Sequence, residues 1–173
     1  MKTTIKILSF VFAAATIVSC NSETKTEGTG DSATVSTVDT AAIATAPATE
    51  TVLSLEADDA MKFNLTELKA VAGQPIKLTL KHTGKFPITA MGHNVVILKP
   101  GTDAAAFATK ALEAKDNQYI PKSEEGSIIA HTKLLGGGEE DTITFTIAEK
   151  GTYEFICSFP GHVSMMKGVL IVE

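Results

Sequence analysis

Cys157-Ser158-Phe159-Pro160-Gly161-His162-Val163-Ser164-Met165-Met166 places a thiol, an imidazole and a thioether on one short loop, with the spacing C-x4-H-x3-M. Ahead of it, Tyr153-Glu154-Phe155-Ile156 alternates as a strand and delivers Cys157 to its end. Behind it, Lys167-Gly168-Val169-Leu170-Ile171-Val172 reads as a second strand. A loop slung between two rigid strands can bring several soft ligands to one metal ion.

Thiolate and thioether together favour copper, and imidazole suits both of its common oxidation states. A trigonal copper centre needs two histidines and one cysteine, with a weak axial methionine. The loop supplies only His162, so a second histidine must come from elsewhere. The chain has 4 histidines. His82 and His131 each end a strand, and His93 follows Gly92 where a strand begins. Spacing alone leaves all three open. The glycine favours His93, because it lets the backbone approach a metal closely.

Outward from the loop, composition narrows the fold. The 173 residues include 13 Gly, 8 Phe and no Trp, with many Val, Ile and Thr, which leans towards an all-β domain. All 15 basic residues are lysine and the formal charge is −5, which argues against nucleic-acid binding. With only 2 cysteines, Cys20 and Cys157, the fold is not framed by disulfides.

Residues 1–19 read as a secretory leader, with Lys2 and Lys6 followed by an apolar run from Ile7 to Val18. The run is short for a permanent membrane span. It ends Ile17-Val18-Ser19-Cys20, which resembles a bacterial lipobox. That resemblance implies cleavage before Cys20 and acylation of its sulfur, and several acyl chains would anchor the protein stably. Loss of the leader would carry the charge to about −7. Residues 20–50 are mostly Thr, Ser, Ala, Glu and Gly and cannot bury enough surface to order themselves. They read as a lipidated flexible tether with a reach of roughly 30 Å.

The domain is expected over 51–173. Thr51–Ala57, Met61–Leu65, Pro75–His82, Val95–Leu98, Ser127–Thr132 and Thr142–Ile147 read as strands beside the two already named. Ile76, Leu78 and Leu80 share one face, as do Ile143, Phe145 and Ile147; Met61, Phe63 and Leu65 are expected to do the same. Asp103 can cap a helix over Ala104–Lys115. About eight short strands with turn signals and one inserted helix predict a Greek-key β-sandwich.

Three separated motifs then resemble the azurins, the blue-copper cupredoxins of bacteria: Met91-Gly92-His93-Asn94, Ile129-Ala130-His131-Thr132-Lys133-Leu134, and Cys157-x-Phe159-Pro160-Gly161-His162 ending in Met166-Lys167-Gly168. The resemblance covers nearly all of residues 55–173. It implies that His93, Cys157 and His162 bind one copper ion in a plane. Met166 is then the long axial ligand, with the Gly92 carbonyl on the opposite side. It also implies that the Asn94 and Phe159 N–H groups donate to the cysteine sulfur, and that the Asn94 side chain ties its loop to Ser158. Phe86, Ala90, Met91, Pro160, Gly161 and Met165 would form an apolar docking patch around an exposed His162 edge. Cytochromes or copper reductases in the cell envelope are the partners it suggests. His82 falls where azurins carry a buried, pH-sensitive histidine and is read here as a satisfied core residue. His131 is read as a surface residue.

The sequence departs from the azurins in three respects. It lacks the cysteines for their disulfide, Val95 stands where they carry a buried tryptophan, and a lipidated tether precedes the domain. None of these touches the expected ligands. The leading expectation is a membrane-tethered carrier of single electrons that is not itself an enzyme, and the alternative is a copper storage or delivery module. Rival readings of Cys157 are a buried structural thiol, a Cys/His nucleophile, and a zinc site. The second needs an orienting third group and an open pocket, and Pro160-Gly161 holds the loop rather than opening it. Methionine is a poor zinc ligand. A domain cut from a multicopper oxidase or nitrite reductase would need further clustered histidines.

Overall fold

The computed structural model describes residues 49–173. Cys20, the leader and most of the tether lie outside the described residues. Nine strands make two sheets. The first has the order β2-β1-β4-β7, from Lys62–Phe63, Thr51–Asp58, Pro75–His82 and Glu140–Thr146. The second has the order β3-β9-β8-β5-β6, from Glu67–Ala70, Lys167–Val172, Gly151–Ile156, Val96–Leu98 and Ile128–His131. β1 runs parallel to β4 and β3 parallel to β9, while the other pairs are antiparallel. This is the all-β sandwich expected.

Period-two alternation sorts side chains between the layers. On β4, Ile76, Leu78, Leu80 and His82 point inward and are fully buried, and the lysines between them face solvent. On β7, Ile143 and Phe145 turn in and the intervening threonines turn out. The second sheet is covered on both faces. Val95 and Ile97 face the core between the sheets, with Tyr153, Phe155 and Cys157. Val96, Leu98 and Ile156 face a second core, closed by Phe107 and Ile120. Hence β5 reads as an unbroken apolar run rather than an alternating one.

The helix α2 supplies Phe107 and spans Ala104–Ala111. Asp103 caps it, its carboxylate accepting from the Ala105 and Ala106 N–H groups. It stops short of the expected Lys115, passing into separate 3-10 turns at Lys115–Asn117 and Lys122–Ser127. A one-turn helix α1, Ile88–Met91, follows Pro87.

The strand expected over Met61–Leu65 shrinks to Lys62–Phe63, although Met61 still packs against the core as expected. Leu65 does not face inward but is 44 % exposed. The strand stops at Phe63 because Asn64 turns to bind Glu56, accepting from its N–H and donating to its carbonyl. Met61 sits at φ 55° in the turn before β2, held where the Asp58 carboxylate accepts from the Ala60 and Lys62 N–H groups. β3 was not anticipated, because Glu-Leu-Lys-Ala carries no strong strand preference. It exists through its parallel partner β9, from Glu67↔Val169 to Ala70↔Val172.

Candidate metal centre

The β8–β9 ladder ends in the ligand loop. Ile156 pairs with Lys167, and the Cys157 N–H then donates to the Met166 carbonyl at 2.9 Å. Cys157 and Met166 therefore face each other across the loop's base, both fully buried. Gly161, at φ 82°, makes the left-handed bend that starts the turn His162–Ser164. The Met166 N–H donates to the His162 carbonyl at 2.8 Å.

His93 arrives from the other side. Its backbone exchanges hydrogen bonds with Leu135, the N–H donating at 3.0 Å and the carbonyl accepting at 2.8 Å. Its Nε2 lies 2.8 Å from the Asp58 carbonyl, an acceptor only, so Nε2 carries the proton and Nδ1 keeps a free lone pair. That Nδ1 is 4.0 Å from Cys157 Sγ, and His162 Nδ1 is 3.6 Å from it. The three ligand atoms lie within 4.8 Å of one another, all on buried residues. The Gly92 carbonyl oxygen is 3.9 Å from Sγ. A side chain at Gly92 would place Cβ 2.7 Å from the Ile88 carbonyl and 2.9 Å from the Phe159 ring, so glycine is required for α1 and the ligand loop to meet there.

The surroundings are fully bonded. Asn94 Oδ1 accepts from the Ser158 N–H at 2.9 Å, and its Nδ2 donates to Ser158 Oγ at 2.8 Å. The two ligand-bearing segments are thereby tied by a buried amide. Burial pushes the Cys157 thiol up to about 11, against the pull of N–H groups of Asn94 and Phe159 that bond the sulfur. Burial first, then charge repulsion from His93 and His82, takes His162 down to about 4. His93 is also lowered, by burial, against its bond to the Asp58 carbonyl. Both imidazoles are thus neutral at neutral pH and able to ligate.

His82 is fully buried with its ring 4.4 Å from that of His93, outside the ligand triangle. Its Nδ1 accepts from the Gly84 N–H at 3.0 Å, which leaves Nε2–H to donate to the Met91 carbonyl at 2.8 Å. His131 is exposed, away from the site. Phe86 and Met165 are 52 % and 54 % exposed, Met91 and Pro160 are half-buried, and Ala90 and Gly161 are exposed. His162 itself is only 3 % exposed, so the open imidazole edge expected from sequence is narrow. The Phe159 ring lies against it, with centroids 4.7 Å apart and planes tilted by 45°. No buried side-chain nitrogen or oxygen among the described residues lacks a partner. Two contributors escaped the sequence reading. Ile88, on α1, is a further apolar side chain left 38 % exposed. The Asp58 carbonyl, which fixes His93, is a backbone atom with no side-chain signal.

These groups set a pH dependence for the metal-free protein. His162 is held neutral in the fold and titrates near its ordinary 6.5 when unfolded. Between about pH 4 and 6.5 the unfolded chain binds more protons, so the contribution is intact above 6.5 and is lost as pH falls towards 4. Calorimetry of the metal-free protein is expected to show the melting midpoint falling across that window, and His162→Gln is expected to shallow the fall.

Two imidazole nitrogens and one thiol sulfur, gathered on buried residues of a two-sheet sandwich, define a cupredoxin-type metal centre, and its donor chemistry fits copper. A family model described as copper binding proteins, plastocyanin/azurin family, matches residues 49–173, and the chain belongs to that family. It is 44 % identical over 124 residues to an azurin of Alcaligenes faecalis, covering 68 % of this chain and 94 % of the relative. It is 40 % identical over 118 residues to outer membrane protein H.8 of Neisseria gonorrhoeae, covering 66 % of this chain and 63 % of the relative. Among solved structures, auracyanin A of Chloroflexus aurantiacus superposes with a TM-score of 0.66 at 31 % identity, covering 72 % of this chain and all 100 % of its own. An azurin from Methylomonas sp. strain J gives 0.64 at 30 % identity, covering 71 % and 98 %. Membership implies blue-copper electron-transfer chemistry.

Proposed function

We propose that the protein carries single electrons between redox partners in the bacterial cell envelope, as a non-enzymatic carrier. The observation that supports this most is the buried His93–Cys157–His162 triangle, in a domain that leaves Phe86, Ile88 and Met165 exposed. Copper, when bound, supplies a one-electron couple. His93, Cys157 and His162 would hold it, with Met166 as the distant thioether and the Gly92 carbonyl as a weak further contact.

The chain's own residues do the rest. Asp58 fixes the His93 tautomer, and the Asn94 amide keeps the two ligand segments from sliding apart. N–H donation to the sulfur stabilises the thiolate and tunes the potential. Complete burial of Cys157 and Met166 excludes water and restricts rearrangement. A small apolar face lets partners dock weakly and leave quickly.

The tests are an optical and spin-resonance spectrum of the copper-loaded protein, reversible voltammetry and the copper off-rate. Intense blue colour, a narrow copper splitting and slow copper loss through redox cycles are expected. A pale tetragonal signal rejects the carrier, and rapid copper exchange favours a delivery module. Met165→Lys, which puts a charge on the apolar face, is expected to slow electron exchange with a cytochrome about tenfold without moving the potential. Stopped-flow mixing measures this.

The envelope location rests on the leader, the Cys20 motif and the name of the gonococcal relative. The lipid anchor would hold the domain, on its tether, in the periplasm or at the cell surface. Cys20→Ala is expected to shift the protein from the membrane pellet to the soluble fraction. An unchanged pellet fraction would rule the anchor out.

A further inference from the structure

Among the described residues only Met61, Gln118 and Tyr119 combine a side chain with a left-handed backbone. Gln118 and Tyr119 are consecutive, at φ 54° and 61°, in the connection between α2 and β6. Glycine would sit at either position without strain. Two adjacent residues that keep their side chains there call for a reason in what those side chains touch.

They touch each segment that carries a copper ligand. Gln118 Oε1 accepts from the Leu134 N–H at 2.8 Å, and the next residue, Leu135, is the one bonded both ways to His93. The Gln118 carbonyl faces Asn94 Nδ2 at 3.4 Å, on the amide whose oxygen holds Ser158. The Tyr119 ring meets Phe159 edge-on at 5.1 Å. The Phe159 ring in turn lies 4.7 Å from that of His162, tilted by 45°, and the Phe159 N–H bonds the Cys157 sulfur. The turn is itself braced, with the Tyr119 N–H donating to the Ala114 carbonyl and Asn117 Nδ2 donating to the Ile120 carbonyl.

We propose that Gln118 and Tyr119 are positioning residues, a strained two-residue clamp on the outside of the metal centre that holds the His93, Asn94 and Cys157–His162 segments in register. Neither reaches the ligand atoms. The clamp acts through Leu134, Asn94 and Phe159, so it governs how readily the ligand loop opens to release copper and how the sulfur's N–H donors sit. This rests on the copper reading of the site.

The test uses the full-length copper-loaded protein and three variants: Tyr119→Ala, Tyr119→Phe and Gln118→Gly. Copper loss to excess chelator and the reduction potential are measured beside the melting midpoint of each metal-free form. Tyr119→Ala and Gln118→Gly are each expected to speed copper loss about tenfold, the scale on which partners of ligands act, and to shift the potential. Tyr119→Phe keeps the ring and is expected to match the parent. Gln118→Gly is the discriminating variant. Releasing backbone strain should leave its metal-free midpoint level or higher even as copper leaves faster, a pairing that general loss of stability does not produce. Should Tyr119→Ala fail to fold, Tyr119→Leu takes its place. A blue parent whose variants keep its copper-loss rate and potential overturns the clamp alone. A parent without the blue band overturns the copper reading beneath it.

Discussion

Cys157→Ser is expected to abolish the blue absorption and to weaken copper binding by more than about 100-fold, beyond the range for partners of ligands. The substitution exchanges sulfur for oxygen in a pocket that tolerates the change sterically. The Asn94 and Phe159 N–H groups that bond the sulfur would still have an acceptor, so no buried donor is orphaned. Folding should therefore survive, and the loss should be chemical. A serine hydroxyl does not ionise at accessible pH, whereas the thiol, although raised to about 11, gives up its proton to a soft metal. Two neutral imidazoles then remain without an anionic partner. Optical titration with copper(II), beside circular dichroism for the fold, measures both halves. A serine variant that keeps the blue band would remove Cys157 from the site.

What the sequence disclosed follows from how local each determinant is. The loop from Cys157 to Met166 was legible because its ligands are close in the chain and its strands alternate cleanly on either side. β4 was legible for the same reason. Pairing His93 with that loop took more. Spacing left three histidines open, Gly92 favoured His93, and the family resemblance settled the choice, because the contact joins the ends of two paired strands, β5 and β8, that are far apart in the chain. The structure then brings His93 Nδ1 to 4.0 Å from the sulfur. Backbone and long-range features stayed hidden. β3 depends on β9, far along the chain. The Asp58 carbonyl has no letter in the sequence. Helix propensity ran through Lys115, yet α2 ends at Ala111. The chain must turn back there to seat Ile120 in the second core and to place Gln118 and Tyr119 against the metal segments.

That second core changes the place of the helix in the fold. In the structure Phe107 packs with Val96 and Ile156, and Val163 of the ligand loop joins the same cluster. β8 is therefore gripped on both faces one residue before it delivers the cysteine. The metal centre hangs from a strand with little freedom to shift, and that stiffness is what restricts rearrangement during electron transfer.

The same reasoning makes Phe155→Ala the most costly core substitution. Phe155 is fully buried, two residues before Cys157 on the same face of β8. Its ring meets Phe63 edge-on at 5.6 Å, joining the two sheets. Across the ladder it lies opposite Gly168, where an added Cβ would stand 2.4 Å from the Phe155 ring, so the ring occupies the space a side chain there would need. Truncation opens a void that nothing adjacent can fill. Gly168 has no side chain to move in, and the Thr66 carbonyl, 2.5 Å from that same Cβ position, bars one from being added. The expected loss is about 3–5 kcal/mol, a large part of the roughly 5–15 kcal/mol that holds a domain folded. No disulfide shares the load, since Cys157 is the one cysteine among the described residues and is free. The melting midpoint should fall by about 10–20 °C. The blue spectrum should persist below that midpoint, because the Cys157 N–H to Met166 carbonyl bond and the Asn94 tie lie on the other side of Ile156 from the void. A loss under about 1 kcal/mol would mean that the inner face of β8 repacks freely, and the stiffness ascribed to the strand would have to come from the α2 side alone.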